Sequence, residues 1–403
     1  MTDRLYYTDA YLRTFDAAVQ HVDSRDDRTI VILDRTVFYP TSGGQPFDTG
    51  TLDGLPIVDV ADEDDGTIVH VVDAGATAQA SAMLVAGQTV HGAIDWTRRF
   101  DHMQKHTGQH VLSAAFDKLY KVRTLSFHLG ADVSTIDLAR AVSTSEIAAA
   151  EQEANRIVWE DRPVTIRFAD AEEAARLPLR KEPARGGTLR LIEVEGFDLS
   201  ACGGTHVSRS GGIGIIAVAA WERFKGGQRL EFACGGRALR RFQTLRDSIA
   251  ASVRSLSVLA EDVPSAIDRL QVDAKEQKRT VAALQTELAR FRAEELAAGA
   301  ESTPRGQLVL QSVDGDAGTL KSLATAIAAK PGFVAVIVSH ARPLLVVASR
   351  SPDRALASQE LVAALTKQFG GRGGGRPELA QAGGLDAEPE AVLAAAREIV
   401  MQS

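Results

Sequence analysis

The run Thr97-Arg98-Arg99-Phe100-Asp101-His102-Met103-Gln104-Lys105-His106-Thr107-Gly108-Gln109-His110-Val111-Leu112-Ser113-Ala114-Ala115-Phe116-Asp117-Lys118-Leu119-Tyr120 decides how this chain is read. At 100° per residue, Val111, Leu112, Ala115, Phe116 and Leu119 fall on one stripe, which predicts an amphipathic helix from about Thr97 to Tyr120. His106 and His110 lie roughly 150° around the helix from the centre of that stripe. The helix is expected to pack one side on a core and to present two imidazoles on the other.

Downstream, Cys202-Gly203-Gly204-Thr205-His206 repeats the same spacing of two ligating residues four apart. Three imidazoles and one thiolate form a donor set suited to zinc, and the glycines allow the backbone to fold tightly round an ion. The chain holds nine histidines and two cysteines, so two such pairs are a strong signal. His102 also lies one turn from His106, and spacing alone permits either adjacent histidine pair. Solvated or capping histidines are the plain alternative. Four protein ligands suit a closed structural site, whereas catalytic zinc usually keeps one position open. Thr107 stands where a zinc protease helix carries its glutamate base, which disfavours that enzyme class.

The surrounding chain is read as α+β and multidomain. Within residues 1–95, Thr29–Leu33, Pro56–Val60 and Thr67–Val72 are short β-branched runs separated by Asp/Gly clusters, predicting a small β-barrel-like domain. Residues 96–240 are expected to form an α+β domain holding the metal. It contains a second amphipathic helix over 144–160 and strands at Val164–Phe168, Thr188–Glu195 and Ile213–Trp221. Residues 241–300 read as a helical linker. Ile267, Leu270, Ala274, Gln277, Val281, Leu284, Leu288 and Phe291 follow a 3-4 spacing there, a coiled-coil seam of about four heptads and a candidate dimer arm. Residues 301–403 alternate strands (Leu308–Val313, Val334–Ser339, Leu344–Ala348) with helices near Leu320–Ala329 and Arg354–Phe369, predicting a C-terminal α/β domain. That domain carries the glycine-rich turn Gly370–Pro377.

Composition excludes several classes. Cys202 and Cys234 are the two cysteines, too few for a disulfide framework, and a reducing cytoplasm is expected. Cys234, without a partner motif, reads as a small buried residue. No apolar run reaches the roughly 18 residues of a membrane span, and the N-terminus lacks a signal-peptide pattern. Net charge is −8, but residues 1–95 hold 16 acidic and 5 basic residues, so nucleic-acid contacts are expected beyond them.

The motifs together resemble a known family. His106–His110 with Ser200-Ala201-Cys202-Gly203-Gly204-Thr205-His206 strongly resembles the editing domain of alanyl-tRNA synthetase. Phe38-Tyr39-Pro40-Thr41-Ser42-Gly43-Gly44-Gln45-Pro46-Phe47-Asp48-Thr49-Gly50 matches the loop preceding that domain. Arg229–Leu239 matches its closing strand and turn, and Gly373–Gly384 is similar to the synthetase's C-terminal tRNA-binding domain. With residue 1 almost at the β domain, the chain looks like a freestanding editing factor of the AlaX type in its long form.

The resemblance implies a hydrolase that deacylates mischarged tRNA(Ala) carrying serine or glycine, and it implies zinc on His106, His110, Cys202 and His206. Gln109 departs from the bacterial synthetase pattern, which has threonine there. Thr124–Gly130 is closer to freestanding forms.

Gly43, Gly44 and Gln45 are candidates for contacts near the oxyanion or ribose. Thr107, Gln109 and Ser126 are candidates for recognising a serine hydroxyl, and Gln45 and Gln109 are also possible catalytic groups. Arg372 and Arg376 are expected to contact RNA phosphates; the turn lacks the Gly-Lys-Ser/Thr ending of a nucleotide-binding loop. The rival reading is a non-catalytic RNA- or partner-binding protein with structural zinc. A zinc hydrolase acting on a small ester unrelated to tRNA is a further alternative.

Overall fold

The computed structural model describes residues 1–25, 28–73, 84–130, 133–180 and 188–402. They form two compact units, Met1–Ala251 and Ser252–Ser403.

The β-branched runs become strands of a closed barrel. Its strands are β1 (Thr14–Arg25), β2 (Arg28–Leu33), β3 (Gly50–Leu52), β4 (Leu55–Asp62), β5 (Ile68–Val72) and β6 (Thr89–Ile94). They pair in the order β1-β2-β5-β4-β3-β6. Val31, Leu33, Leu52, Ile57, Val60, Ile68 and Val90 fill the interior. His70 is buried among them. Its Nε2 lies 2.8 Å from the Thr36 hydroxyl and its Nδ1 3.2 Å from the Val31 carbonyl.

Strand β6 runs into α1 (Trp96–Tyr120), whose N-terminus is capped by the Asp95 carboxylate accepting from the Arg98 N–H. This helix differs from the half-exposed one expected. Arg99, His102, Met103 and every residue from Lys105 to Phe116 are buried. Leu119, assigned to the core stripe, is 45% exposed.

The apolar side of α1 packs in one cluster with α2 (Thr144–Trp159) and with one face of a four-stranded sheet. That sheet contains β7 (Thr124–Leu129), β8 (Ser134–Leu138), β12 (Ile216–Phe224) and β13 (Gly227–Cys234), in the order β12-β13-β8-β7. A three-stranded antiparallel sheet, β9 (Val164–Ala169), β10 (Leu189–Val194) and β11 (Asp198–Ala201), leads into Cys202. Cys234 is buried against Gly108, where an added Cβ would meet its sulfur at 2.3 Å.

The helical linker expected over residues 241–300 is two helices, α3 (Gly235–Leu256) and α4 (Val263–Ala298). Ser257 adopts φ +54° at the break. In α4 the seam residues Ile267, Leu270, Val281, Leu284, Leu288 and Phe291 are exposed, and Ala289, Ala293 and Ala297 are buried instead. Small residues at four-residue spacing let the helix backbone approach the helix over 317–328 of its own unit closely, with a lesser contact to the sheet, so another stripe is covered.

The C-terminal unit contains β14 (Glu301–Thr303), β15 (Gly306–Val313), α5 (Ala317–Ala328), β16 (Phe333–Ser339), β17 (Leu344–Arg350), α6 (Ser358–Phe369), β18 (Arg372–Arg376), β19 (Leu379–Leu385) and α7 (Pro389–Gln402). Its six strands run β14-β15-β16-β17-β19-β18. The glycine-rich segment read as a turn is edge strand β18, exposed throughout and paired with β19. Glycine is required there by close approach: a Cβ on Gly373 would lie 2.3 Å from the Gln381 carbonyl.

Candidate metal centre

His106 and His110 project from α1 towards the segment that follows β11. There Cys202 and His206 bring one donor each, and the four ligand atoms lie within 4.8 Å of one another. The Cys202 sulfur is 3.3 Å from Nε2 of both His106 and His206. His102 is buried one turn earlier and lies outside this group.

The far nitrogen of each imidazole fixes its orientation. His106 Nδ1 donates to Gln45 Oε1 at 2.8 Å, and His110 Nδ1 donates to Asp198 Oδ2 at 3.1 Å. His206 Nδ1 donates to the Thr107 hydroxyl at 3.2 Å. That hydroxyl spends its proton on the Met103 carbonyl and also accepts from the Val207 N–H. An amide oxygen, a carboxylate and an already committed hydroxyl can only accept here. All three rings therefore carry their proton on Nδ1 and offer Nε2 to the cluster, as second-sphere partners do in metal sites.

Electrostatics favour the ligating state at Cys202 and His206 and oppose it at His110, whose proton a bound cation would have to displace. Burial pushes the Cys202 thiol up, but His106 and His206 overcome that and hold it well below its ordinary range. Burial lowers His206 to about 3, keeping it neutral. Burial also opposes charging of His110, but its bonds to Asp198 and Cys202 outweigh this and raise it to about 9 in the metal-free arrangement. Asp198 is held ionised against burial by His110 and by Arg180, whose Nε lies 2.6 Å away.

These contacts revise the expected roles. Gln45 and Thr107 do not line the cavity beside the cluster and instead bond His106 and His206. Gln45 is fully buried, with Nε2 on the Thr205 hydroxyl at 2.8 Å and Oε1 shared by His106 and the Thr205 N–H. Gly44 packs against the Phe127 ring. Gly43, Gln109 and Ser126 do line a cavity of about 160 Å³ along edge strand β7, together with His110 and Cys202. Gln109 donates to Ser113 at 2.8 Å, but its buried Oε1 has no hydrogen-bond partner among the described residues. The Ser126 hydroxyl donates to Asp137. Arg372 and Arg376 are exposed on β18 in the other unit.

Several positioning residues escaped the sequence reading. Asp198 carried one usable signal, a carboxylate four residues before Cys202 in the strand leading to it. Arg190 grips the Cys202 and Gly204 carbonyls at 2.7 and 2.9 Å, and Arg99 is fully buried on Asp48 with bonds of 2.5 to 3.1 Å. That pair ties the loop carrying Gln45 to α1, and no local pattern announces it.

Comparison with known proteins matches this layout. An alanyl-tRNA editing protein AlaX-L of Pyrococcus horikoshii is 32% identical over 99% of this chain and 98% of its own length. The chain belongs to the AlaX-L family. Alanine–tRNA ligases of Pyrococcus abyssi and Halobacterium salinarum are 33% and 35% identical over 94% and 96% of the chain, which spans only 42% of either.

Family models match in three places. Residues 5–98 match tRNA synthetases class II (A), 189–231 match the threonyl and alanyl tRNA synthetase second additional domain, and 305–402 match the DHHA1 domain. The C-Ala domain from Aquifex aeolicus alanyl-tRNA synthetase, 20% identical, covers 26% of this chain and 98% of its own with a TM-score of 0.24, too low to assign a fold. No helix among the described residues is long and apolar enough to cross a membrane.

Proposed function

We propose that this AlaX-L member is a zinc-dependent hydrolase that deacylates mischarged tRNA(Ala), chiefly seryl-tRNA(Ala) and secondarily glycyl-tRNA(Ala). The observation that carries the proposal is the four-donor cluster, each imidazole already oriented, opening through His110 and Cys202 onto a small cavity. Two nitrogen-anchored rings on one helix and a thiolate–imidazole pair fit zinc in donor type and number. Zinc bound there would supply Lewis-acid polarisation of an ester carbonyl or of water. A purely structural site would have no use for a cavity lined by two of its ligands.

The chain's own residues do the selecting. About 160 Å³ suits the aminoacyl group of a small residue and excludes large ones. Gln109 Oε1 accepts a hydrogen bond from the substrate's hydroxyl or ammonium group. An alanyl ester, lacking the hydroxyl, leaves that buried acceptor less satisfied. Ser126, its proton committed to Asp137, serves as a second acceptor. Arg372 and Arg376 contact tRNA phosphates through the C-terminal unit.

The test is deacylation of seryl-, glycyl- and alanyl-tRNA(Ala) by the full chain. Zinc-loaded protein is expected to hydrolyse the seryl ester and to spare the alanyl ester, with the glycyl ester, which also lacks the hydroxyl, hydrolysed more slowly than the seryl one. Cys202→Ala is expected to lose both zinc and activity. Gln109→Leu is expected to reduce the preference for seryl over alanyl ester by roughly 100-fold. Absence of hydrolysis by zinc-loaded protein would overturn the proposal.

A further inference from the structure

The four-stranded sheet β12-β13-β8-β7 buries one face against α1, and residues of α3 reach the end of its other face at Glu231 and Ala233. Side chains alternate across the strands, so Leu129, Ile136, Leu230 and Phe232 enter the core. The opposite face presents Ser126, Asp137, Arg229 and Glu222 in one cross-strand row. Ser126 stands at the mouth of the cavity beside the metal cluster.

At the other end of the same sheet, where β13 passes into α3, a groove of about 510 Å³ is lined by Val133, Ala233, Arg237, Arg240, Arg241 and Thr244. From Ser126 to Ala233 is two strand spacings across and four residues along, roughly 16 Å. A few nucleotides of single strand bridge that distance.

Three arginines of α3 line the groove beside the apolar Val133, Phe232, Ala233 and Leu245. Arg237, Arg240, Arg241 and Thr244 follow the i, i+3, i+4, i+7 spacing that places them together on α3. Arg237 is fixed by Asp101 through contacts of 2.6 to 2.9 Å, and Arg241 by Glu231. Each retains further N–H groups. Arg240 comes no closer than 3.6 Å to Asp101 and its side chain is 68% exposed. Two anchored guanidiniums flanking a third that reaches into solvent suit consecutive phosphates better than a single small anion.

The geometry points to a docking track for the phosphate backbone of the RNA. The groove of Arg237, Arg240 and Arg241 takes phosphates near the acceptor end, and the polar cross-strand row that ends at Ser126 leads the 3′ strand to the cavity. This inference rests on the aminoacyl-tRNA reading above.

Its test separates the two. Affinity of the full chain for uncharged tRNA(Ala), measured by fluorescence anisotropy across a salt series, needs no hydrolysis. The double variant Arg240→Glu/Arg241→Glu is expected to weaken binding by roughly tenfold and to lower the salt slope by about 2. Arg240→Ala, which breaks no close ion pair, should give a smaller loss in the same direction and guards against misfolding of the double variant. Glu231→Gln, releasing Arg241, is expected to tighten binding.

In deacylation, the double variant should raise KM for seryl-tRNA(Ala) with kcat near wild type, and leave hydrolysis of 3′-seryl-adenosine, a single nucleoside too short to reach the groove, unchanged. Wild-type affinity and salt slope in the double variant would overturn the docking track, whatever the hydrolytic result. Tight, arginine-dependent binding without hydrolysis would instead sink the enzymatic reading alone.

Discussion

Helices α1 and α4 look alike in sequence, each with a one-sided apolar stripe, yet the structure treats them in opposite ways. In α1 the polar side is buried as deeply as the apolar side, because the Cys202–His206 segment and the Gly43–Gln45 loop close over it. In α4 the apolar seam from Ile267 to Phe291 is exposed, and a row of alanines makes the contact with its own unit. Periodicity identifies residues that share a face. It does not identify what covers that face.

The contrast predicts that polar residues packed around α1 carry large energies and the seam of α4 almost none. Asp48→Asn should have the largest effect, because it strands the fully buried Arg99 guanidinium. A loss of about 3–5 kcal/mol in denaturant unfolding is expected, and an unchanged midpoint would break the comparison.

Asp198→Ala comes next. Removing the acceptor that orients His110 should weaken zinc binding by about 10–100-fold in a chelator competition. Wild-type affinity would mean that the carboxylate positions nothing.

His70 in the barrel gives a pH signature. Burial lowers its folded-state value to about 4 from an ordinary 6.5, so the unfolded chain binds the proton more readily between those pH values. Stability is full above pH 6.5 and falls as the pH drops towards 4. The expected loss between pH 7 and pH 5 is about 2 kcal/mol, and His70→Gln should remove it. An equal pH slope in both proteins would refute this assignment.

The smallest effect is on α4. Leu284→Gln should shift stability by no more than about 0.5 kcal/mol in dilute protein. A concentration-dependent loss would show instead that a second chain covers the seam, and sedimentation would read the change directly.

Much of the metal site was legible because its signal is local. Pairs of ligands at i,i+4 spacing single out the donors without any fold, up to the choice between His102 and His110 as the partner of His106, and β-branched runs between turn residues mark three of the six barrel strands, β2, β4 and β5. The roles of Gln45 and Thr107 were misread for the converse reason. Both lie in segments whose chemistry suggests substrate contact, and only the packing turns their polar atoms onto His106 and His206. The stretch Arg372–Arg376 is similar: five residues rich in glycine read as a turn, but the same freedom permits the close pairing of an edge strand.

By itself the spacing along one chain narrowed the possible metal ligands to Cys202, His206 and an adjacent pair among His102, His106 and His110, and showed which segments alternate or coil. The resemblance to the editing family implied the pair His106 and His110. Tertiary structure alone decided which nitrogen of each imidazole faces the cluster, that Gln109 keeps an unpaired acceptor beside it, and that Arg99 and Asp48 neutralise each other out of water. Those outcomes depend on acceptors 51 to 99 residues away in sequence brought within hydrogen-bond reach, and no local pattern encodes that distance.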